Sequence, residues 1–152
     1  MNDDSTLPTH ANEMFCHAVY TASHVINRAY APHLKPLGLT YPQYITLTLL
    51  WATDGQKVGD LAQQLRMESS TLTPLLKRLE AQGLVERRRS PKDERQVQVH
   101  LTDEGAALKN KAPEITACMV ADTGLSIAEL DQMTNLLGRL SESLSNATPP
   151  RR

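Results

Sequence analysis

No stretch of this 152-residue chain approaches the uninterrupted apolar run of about 18 residues needed to span a bilayer. Its polar start, MNDDSTLPTH, has the pattern of neither a signal sequence nor a transit peptide, so a cytoplasmic protein without membrane attachment is expected. Cysteine is scarce. Cys16 and Cys118 stand 102 positions apart, without metal-ligand spacing, and make no disulfide framework for a reducing compartment. Each is therefore a core residue or a redox centre. There is no phosphate loop, nucleophile elbow or paired-carboxylate signature, and no repeat or low-complexity tract. His17 and His24, seven apart on one predicted helix, lie roughly 10 Å apart by helical rise, too far to share a zinc ion. No metal, no cofactor and no enzymatic activity are expected. Net charge is also small, −1, so the global balance predicts no polyanion partner.

The distribution of that charge is lopsided. Between Arg66 and Arg95 eight Lys or Arg stand against five Asp or Glu, a local +3 that leaves −4 on the rest of the chain. A basic surface on an acidic body is the footprint of a nucleic-acid reader. The basic stretch lies inside residues 58–102, where Val58, Leu61, Ala62 and Leu65 form one helical stripe and Leu72, Leu75, Leu76 and Leu79 a second, after a short polar turn. Two short helices joined tightly make a helix-turn-helix. Ser69 or Ser70 can cap the second helix, and its other face carries Thr71, Thr73, Lys77 and Arg78, residue types that bond base edges or phosphates. Gly83 ends that helix as a left-handed glycine would. Leu84 and Val85, then Val97, Val99 and Leu101, alternate with the period of strands around a turn at Ser90-Pro91-Lys92-Asp93. This hairpin holds Arg87, Arg88, Arg89, Lys92 and Arg95 on or near its tip, within reach of the sugar-phosphate backbone or a narrow minor groove. Asp93 braces Arg95 there rather than serving as a catalytic acid. A run of three arginines alone is more often a solvated face, but its place after a helix pair favours DNA contact.

The remaining chain reads as helical. A first helix is predicted over 12–31, ended by Pro32, and a second from Tyr41 to Trp51. Thr40 can cap the second, Gln43 can reach back, and Pro42 is tolerated in a first turn. Thr53-Asp54-Gly55 then turns the chain. Thr102 followed by Asp103 and Glu104 opens another helix, and Ser126 with Glu129 makes a capping box stapled by Leu125 against Leu130. Leu130, Met133, Leu137, Leu140 and Leu144 form the stripe of the last helix, which needs a partner surface. The dimer interface is therefore expected on the first helix and the last two. Residues 147–152 are expected to fray.

The wing pattern, an Asp and an Arg followed by an alternating strand and Leu-Thr, stands here as Asp93-Glu94-Arg95 through Leu101-Thr102 and resembles that of the MarR family of bacterial transcriptional regulators. Cys16, Tyr20, Tyr30 and the run Leu39-Thr40-Tyr41-Pro42-Gln43-Tyr44 are similar to the organic-hydroperoxide-sensing, OhrR-like branch, which places a reactive cysteine in the first helix with tyrosines around it. The resemblance covers about residues 12 to 145. It implies a mainly α fold with a small β hairpin in a single domain, 1–152. A winged helix-turn-helix lobe would occupy 41–102, and dimerisation helices from both chain ends 12–38 and 103–146. It further implies a homodimer on double-stranded operator DNA. In two-cysteine members a resolving thiol sits in the penultimate helix, the region where Cys118 falls, although Ile115, Ala117, Met119 and Val120 around it equally suit an inert core position.

Cys16 lies four positions before Tyr20, on one side of the first helix, and Tyr30 and Tyr41 can approach from elsewhere in a folded dimer. Phenol hydroxyls stabilise a thiolate, the form that attacks a peroxide O–O bond and becomes a sulfenic acid. A lone cysteine is by composition more often buried and inert. The three tyrosines, with Phe15 as an apolar wall for an organic peroxide, favour the redox reading. The leading expectation is a repressor that leaves its operator when organic hydroperoxide oxidises Cys16. A repressor of the same fold released by a small phenolic ligand is the first alternative. A thiol peroxidase is the second, and it leaves the basic wing unexplained.

Overall fold

The computed structural model describes residues 10–147. Among them it has seven α-helices and three strands: α1 (Phe15–Leu34), α2 (Tyr41–Ala52), β1 (Gln56–Lys57), α3 (Val58–Leu65), α4 (Ser69–Ala81), β2 (Val85–Arg89), β3 (Val97–Leu101), α5 (Asp103–Ala107), α6 (Ala112–Thr123) and α7 (Ile127–Ala147). The chain divides into two compact units, Met1–Ala112 and Pro113–Arg152. No described helix is long and apolar enough to cross a membrane. The expected fraying past Ala147 lies outside the described residues.

In the first unit α1 runs past its expected stop, with Pro32 inside the last turn. Proline forfeits one bond to the preceding turn, yet the Lys35 N–H still reaches the Ala31 carbonyl, and the chain reverses only at Gly38, where φ is 69°. The capping box of α2 forms as expected: the Thr40 N–H donates to Gln43 Oε1 at 2.9 Å and the Gln43 N–H to Thr40 Oγ1 at 3.4 Å.

Leu72, Leu75, Leu76 and Leu79 of α4 are buried, as are Leu61 and Ala62 of α3, Leu47 and Leu50 of α2, Val85 of β2 and Val99 of β3. Neither serine caps α4. The N-cap is Glu68, without a side-chain capping bond, and Ser69 and Ser70 are already helical. Arg66, with φ 54°, closes α3 in a left-handed turn and leaves room for only two residues before the next helix begins. Gly83, φ 73°, ends α4 as expected, with the Leu84 N–H on the Leu79 carbonyl at 3.0 Å.

The wing strands pair antiparallel from Val85↔Leu101 to Arg89↔Val97. On the other side of β3 lies β1, with Gln56 opposite Val99, giving the order β1-β3-β2. A two-residue strand has no alternation to read, so only the sheet beside it reveals it. Thr102 caps α5, accepting the Gly105 N–H at 3.0 Å, and its hydroxyl donates to the Gly83 carbonyl. Gly105 is buried so tightly that a Cβ there would overlap the Leu84 carbonyl oxygen.

In the second unit α6 buries Ile115 and Met119, one turn apart. The Ser126–Glu129 capping box is formed, with the Ser126 N–H on Glu129 Oε2 at 2.8 Å and the Glu129 N–H on Ser126 Oγ at 3.3 Å. The Ser126 N–H and then the Ser126 hydroxyl, both donating to Glu129 Oε2, hold that carboxyl below its ordinary value. Helix α7 buries no residue, and Ile127, Met133, Leu136, Leu137 and Leu144 are exposed on it.

Because the Gly105 contact is with backbone, Gly105→Ala should lower stability by about 1–3 kcal/mol or more, read as a reduced urea midpoint. An unchanged midpoint would show that the α5 start can shift away from Leu84.

Candidate DNA-reading surface and thiol site

With the leucine face of α4 inward, Ser69, Ser70, Thr71, Lys77 and Arg78 are exposed and Thr73 is half-buried. The Thr73 hydroxyl donates to the Ser69 carbonyl at 2.8 Å. Pro74 has no N–H to give the Ser70 carbonyl one turn earlier. That carbonyl is left without its helical partner, on the polar side of the helix.

The wing is less uniform than its sequence. The loop from Ser90 to Gln96 is closed by the Ser90 N–H on the Gln96 carbonyl at 2.8 Å. Asp93 Oδ1 accepts the Arg95 N–H at 3.0 Å, so Asp93 braces the backbone of Arg95, not its guanidinium. Lys92 and Arg95 are exposed on this loop. Arg87 and Arg88 are not at the tip. Arg87 lies in mid-strand, with its guanidinium 2.9 Å from Glu80 Oε2 of α4 and its N–H on Glu80 Oε1. Arg88 pairs with Glu86 at 2.6 Å on the same strand face. Strand pairing sets both positions, and a carboxylate two residues away, or one on the adjacent helix, takes up each charge. Arg89 is exposed at the end of β2.

A cleft of about 550 Å³ runs between the start of α3, the start of α4 and the wing, lined by Lys57, Asp60, Ser69, Thr73, Arg87 and Arg95 among others. Lys57 carries no signal in sequence, being a lone exposed lysine, yet β1 places it on this cleft.

The Glu80 carboxyl is held below its ordinary value of 4.5, first by the Arg87 N–H, then by the Arg87 side chain. A depressed folded value contributes stability above the ordinary pKa and loses it as pH falls through the folded one. Glu80→Gln should therefore cost at most about 1 kcal/mol at neutral pH, as for an exposed pair, and the difference from the parent should shrink below pH 4.5. Urea unfolding at pH 7 and pH 3.5 (on the order of one unit below the ordinary value) tests this; a difference that grows in acid contradicts it. For the wing, Arg95→Ala should weaken duplex DNA binding several-fold and, if Arg95 meets a phosphate, flatten the salt dependence by about one ion. Equal affinity at matched salt would remove Arg95 from the contact set.

The sensor candidates fall into two groups. Cys16 and Tyr20 are exposed on the first turns of α1, and Tyr20 packs edge-on against His24, with centroids 4.5 Å apart. Tyr30 sits fourteen residues beyond Cys16, roughly 21 Å along the helix by its rise. Tyr30 stacks on Tyr41 at 4.5 Å and lies 5.8 Å from Tyr44, which contacts Trp51 edge-on. The Trp51 indole N–H donates to the Gly105 carbonyl at 2.9 Å. Within one chain, then, the structure brings Tyr30 and Tyr41 together but not to Cys16. Burial raises the Tyr30 phenol above its ordinary pKa; burial, then neighbouring Tyr30 and Tyr44, raise that of Tyr41. Both therefore remain hydroxyl donors at neutral pH. Cys118 is exposed on α6, so burial within the chain does not account for it.

Residues 28–112 match the family model described as transcriptional regulator SarA/Rot. The organic hydroperoxide resistance transcriptional regulator of Bacillus subtilis is 42% identical over 129 residues, covering 85% of this chain and 88% of that protein. AbfR of Staphylococcus epidermidis superposes with a TM-score of 0.75 at 32% identity, over 90% of this chain and 92% of that one. In its reduced, DNA-bound form the TM-score is 0.76, with 33% identity and 90% and 93% covered; in its disulfide form it is 0.60, with 33% identity and 90% of each chain covered. Wild-type MarR of E. coli gives 0.69 at 25% identity over 84% of this chain and 96% of that one. The match over residues 28–112 and the 42% identity to a relative covered over 88% of its length, with the likeness to MarR itself, make this chain a member of the MarR family of DNA-binding transcriptional regulators.

Proposed function

We propose that this regulator is a homodimeric repressor that leaves its operator when an organic hydroperoxide oxidises Cys16. The observation that carries the reading is the stacked Tyr30–Tyr41 pair, two half-buried phenols kept protonated, in a chain whose exposed Cys16 lies on the same helix as Tyr30. The likeness to the Bacillus subtilis organic hydroperoxide resistance regulator supports the substrate class. Phe15, Val19, Tyr20, Val25 and Ile26 leave an apolar face on α1, and α7 carries another. Such faces support a dimer. Antiparallel pairing of α1 helices would carry Cys16 toward Tyr30 and Tyr41 of the partner subunit, which the length of α1 forbids within one subunit.

In the reaction the Cys16 thiolate attacks the outer peroxide oxygen and the O–O bond breaks. The alkoxide takes a proton and leaves as the alcohol, and the sulfur becomes a sulfenic acid. The Tyr30 and Tyr41 hydroxyls stabilise the anionic sulfur. The sulfenic acid then condenses with a thiol and releases water; the exposed Cys118 of the opposite subunit is one candidate, a small cellular thiol the other. Release requires the oxidised dimer to hold its two recognition helices off the half-site spacing. Ser69, Ser70, Thr71, Thr73, Lys77 and Arg78 would meet the major groove, and Lys92, Arg95 and Lys57 the backbone.

A specific cleft supports the second reading. Arg28, Ala31, Pro32, Lys35, Leu39 and Tyr41 are among the residues lining a space of about 740 Å³ in the first unit, apolar with two cations, as a small phenolic or carboxylate effector requires.

A gel shift on the DNA upstream of this gene, reduced and then treated with an alkyl hydroperoxide, decides between them. Cys16→Ser should bind as the parent does and ignore peroxide, because an alcohol lacks the accessible anion. Peroxide release retained in Cys16→Ser contradicts the thiol reading. A dithiothreitol-sensitive dimer on a non-reducing gel, absent in Cys118→Ser, is expected if Cys118 resolves; monomers carrying a mixed disulfide would leave Cys16 acting alone.

A further inference from the structure

Gln82 fastens the tyrosine-bearing end of α2 to the recognition helix, and we propose that it transmits the state of the Tyr30–Tyr41 pair to α4. This inference rests on the sensor reading above and names the route by which that site reaches the DNA. Tyr41 is the first residue of α2, and its turn is built by the Thr40–Gln43 capping box. Gln43 is buried and uses both ends of its amide: Oε1 accepts the Thr40 N–H, and Nε2 donates to Gln82 Oε1 at 3.5 Å. Gln82 in turn uses both of its ends, because its Nε2 donates to the Gly38 carbonyl at 2.6 Å. Gly38 is the left-handed residue at which the chain passes from α1, which bears Tyr30, toward α2, which bears Tyr41. One side chain thus grips residues 38 and 43, on either side of Tyr41.

Its backbone is equally placed. Gln82 is the residue directly after α4, its N–H closing the helix on the Arg78 carbonyl, and the next carbonyl, that of Gly83, holds the Thr102 hydroxyl at the base of the wing. A displacement of Tyr41 that its helical turn shares moves Gln43 and must either carry Gln82 along or break the Gln43–Gln82 bond. Either outcome is felt at the end of α4 that bears Lys77 and Arg78. The Gln82 side chain is exposed, so water can replace lost partners. That makes the contact breakable without unfolding the lobe, as a transmitting contact must be.

The test is a double-mutant cycle on affinity for the upstream DNA, using reduced full-length protein with Gln82→Met, which keeps length and loses the amide, and Tyr41→Ala. Gln82→Met alone should bind within about threefold of the parent, and the effect of Tyr41→Ala should change by about threefold or more in its presence. Effects that simply multiply overturn the latch, whether or not peroxide acts. In a second arm, cumene hydroperoxide should oxidise Cys16 of Gln82→Met as fast as the parent by mass, yet leave more DNA bound than in the parent. Equal release overturns the transmitting role. A parent that ignores peroxide counts against the sensor reading, and the cycle then decides the latch alone. Should Gln82→Met melt below the parent, Gln82→Ala, which removes both amide bonds without adding charge, takes its place in both arms.

Discussion

Four leucines on one side of α4 govern what the rest of the DNA-reading lobe can do. Leu72, Leu75, Leu76 and Leu79 are buried, and each is worth roughly 1.5–3 kcal/mol relative to exposure. Helix α4 therefore has one permitted rotation about its axis. That rotation sends Ser70, Thr71, Lys77 and Arg78 outward, and it places Glu80 where Arg87 of the wing can reach it. The polar face that α4 turns outward is a consequence of the core.

The charges of the wing divide along the same line. Arg87 and Arg88 are committed to Glu80 and Glu86, while Lys92 and Arg95 stand out on a loop held by its own backbone bonds. An arginine bound to a carboxylate offers a polyanion less than a free one, so two of the eight cations between Arg66 and Arg95 are taken up, while the net +3, which already counts Glu80 and Glu86, is unchanged. The Arg87–Glu80 pair has another use. It joins wing to recognition helix, so the two elements present one surface rather than two.

Helix α2 joins the tyrosine pair to the root of the wing. Its first turn carries Tyr41, Gln43 and Tyr44, and its last turn Trp51, whose indole N–H reaches Gly105. Gly105 in turn lies against Leu84 at the root of the wing. Aromatic contacts on one side and side-chain hydrogen bonds at both ends tie α2 to its neighbours in the lobe.

Much of this was determined by the sequence alone, because it depends on neighbours close in the chain. The leucine stripes, the capping boxes at Thr40 and Ser126, the glycine stop at Gly83 and the alternation of the wing strands are all written within four or five residues, and each forms. Pro32 and the Ser69–Ser70 cap went otherwise because they depend on how much chain is left to turn: Arg66 closes α3 in a left-handed conformation, and α1 continues until Gly38. What only the tertiary structure decided is long-range. No local pattern marks β1, the pairing of Arg87 with Glu80, the Tyr30–Tyr41 stack or the bridge from Gln82 to Gly38, the last joining residues 44 apart in sequence. Such contacts carry no periodicity, since they form where packed elements happen to bring two polar or aromatic groups within reach. The separation of Cys16 from Tyr30 belongs to both: helical spacing sets it, and an unbroken α1 enforces it.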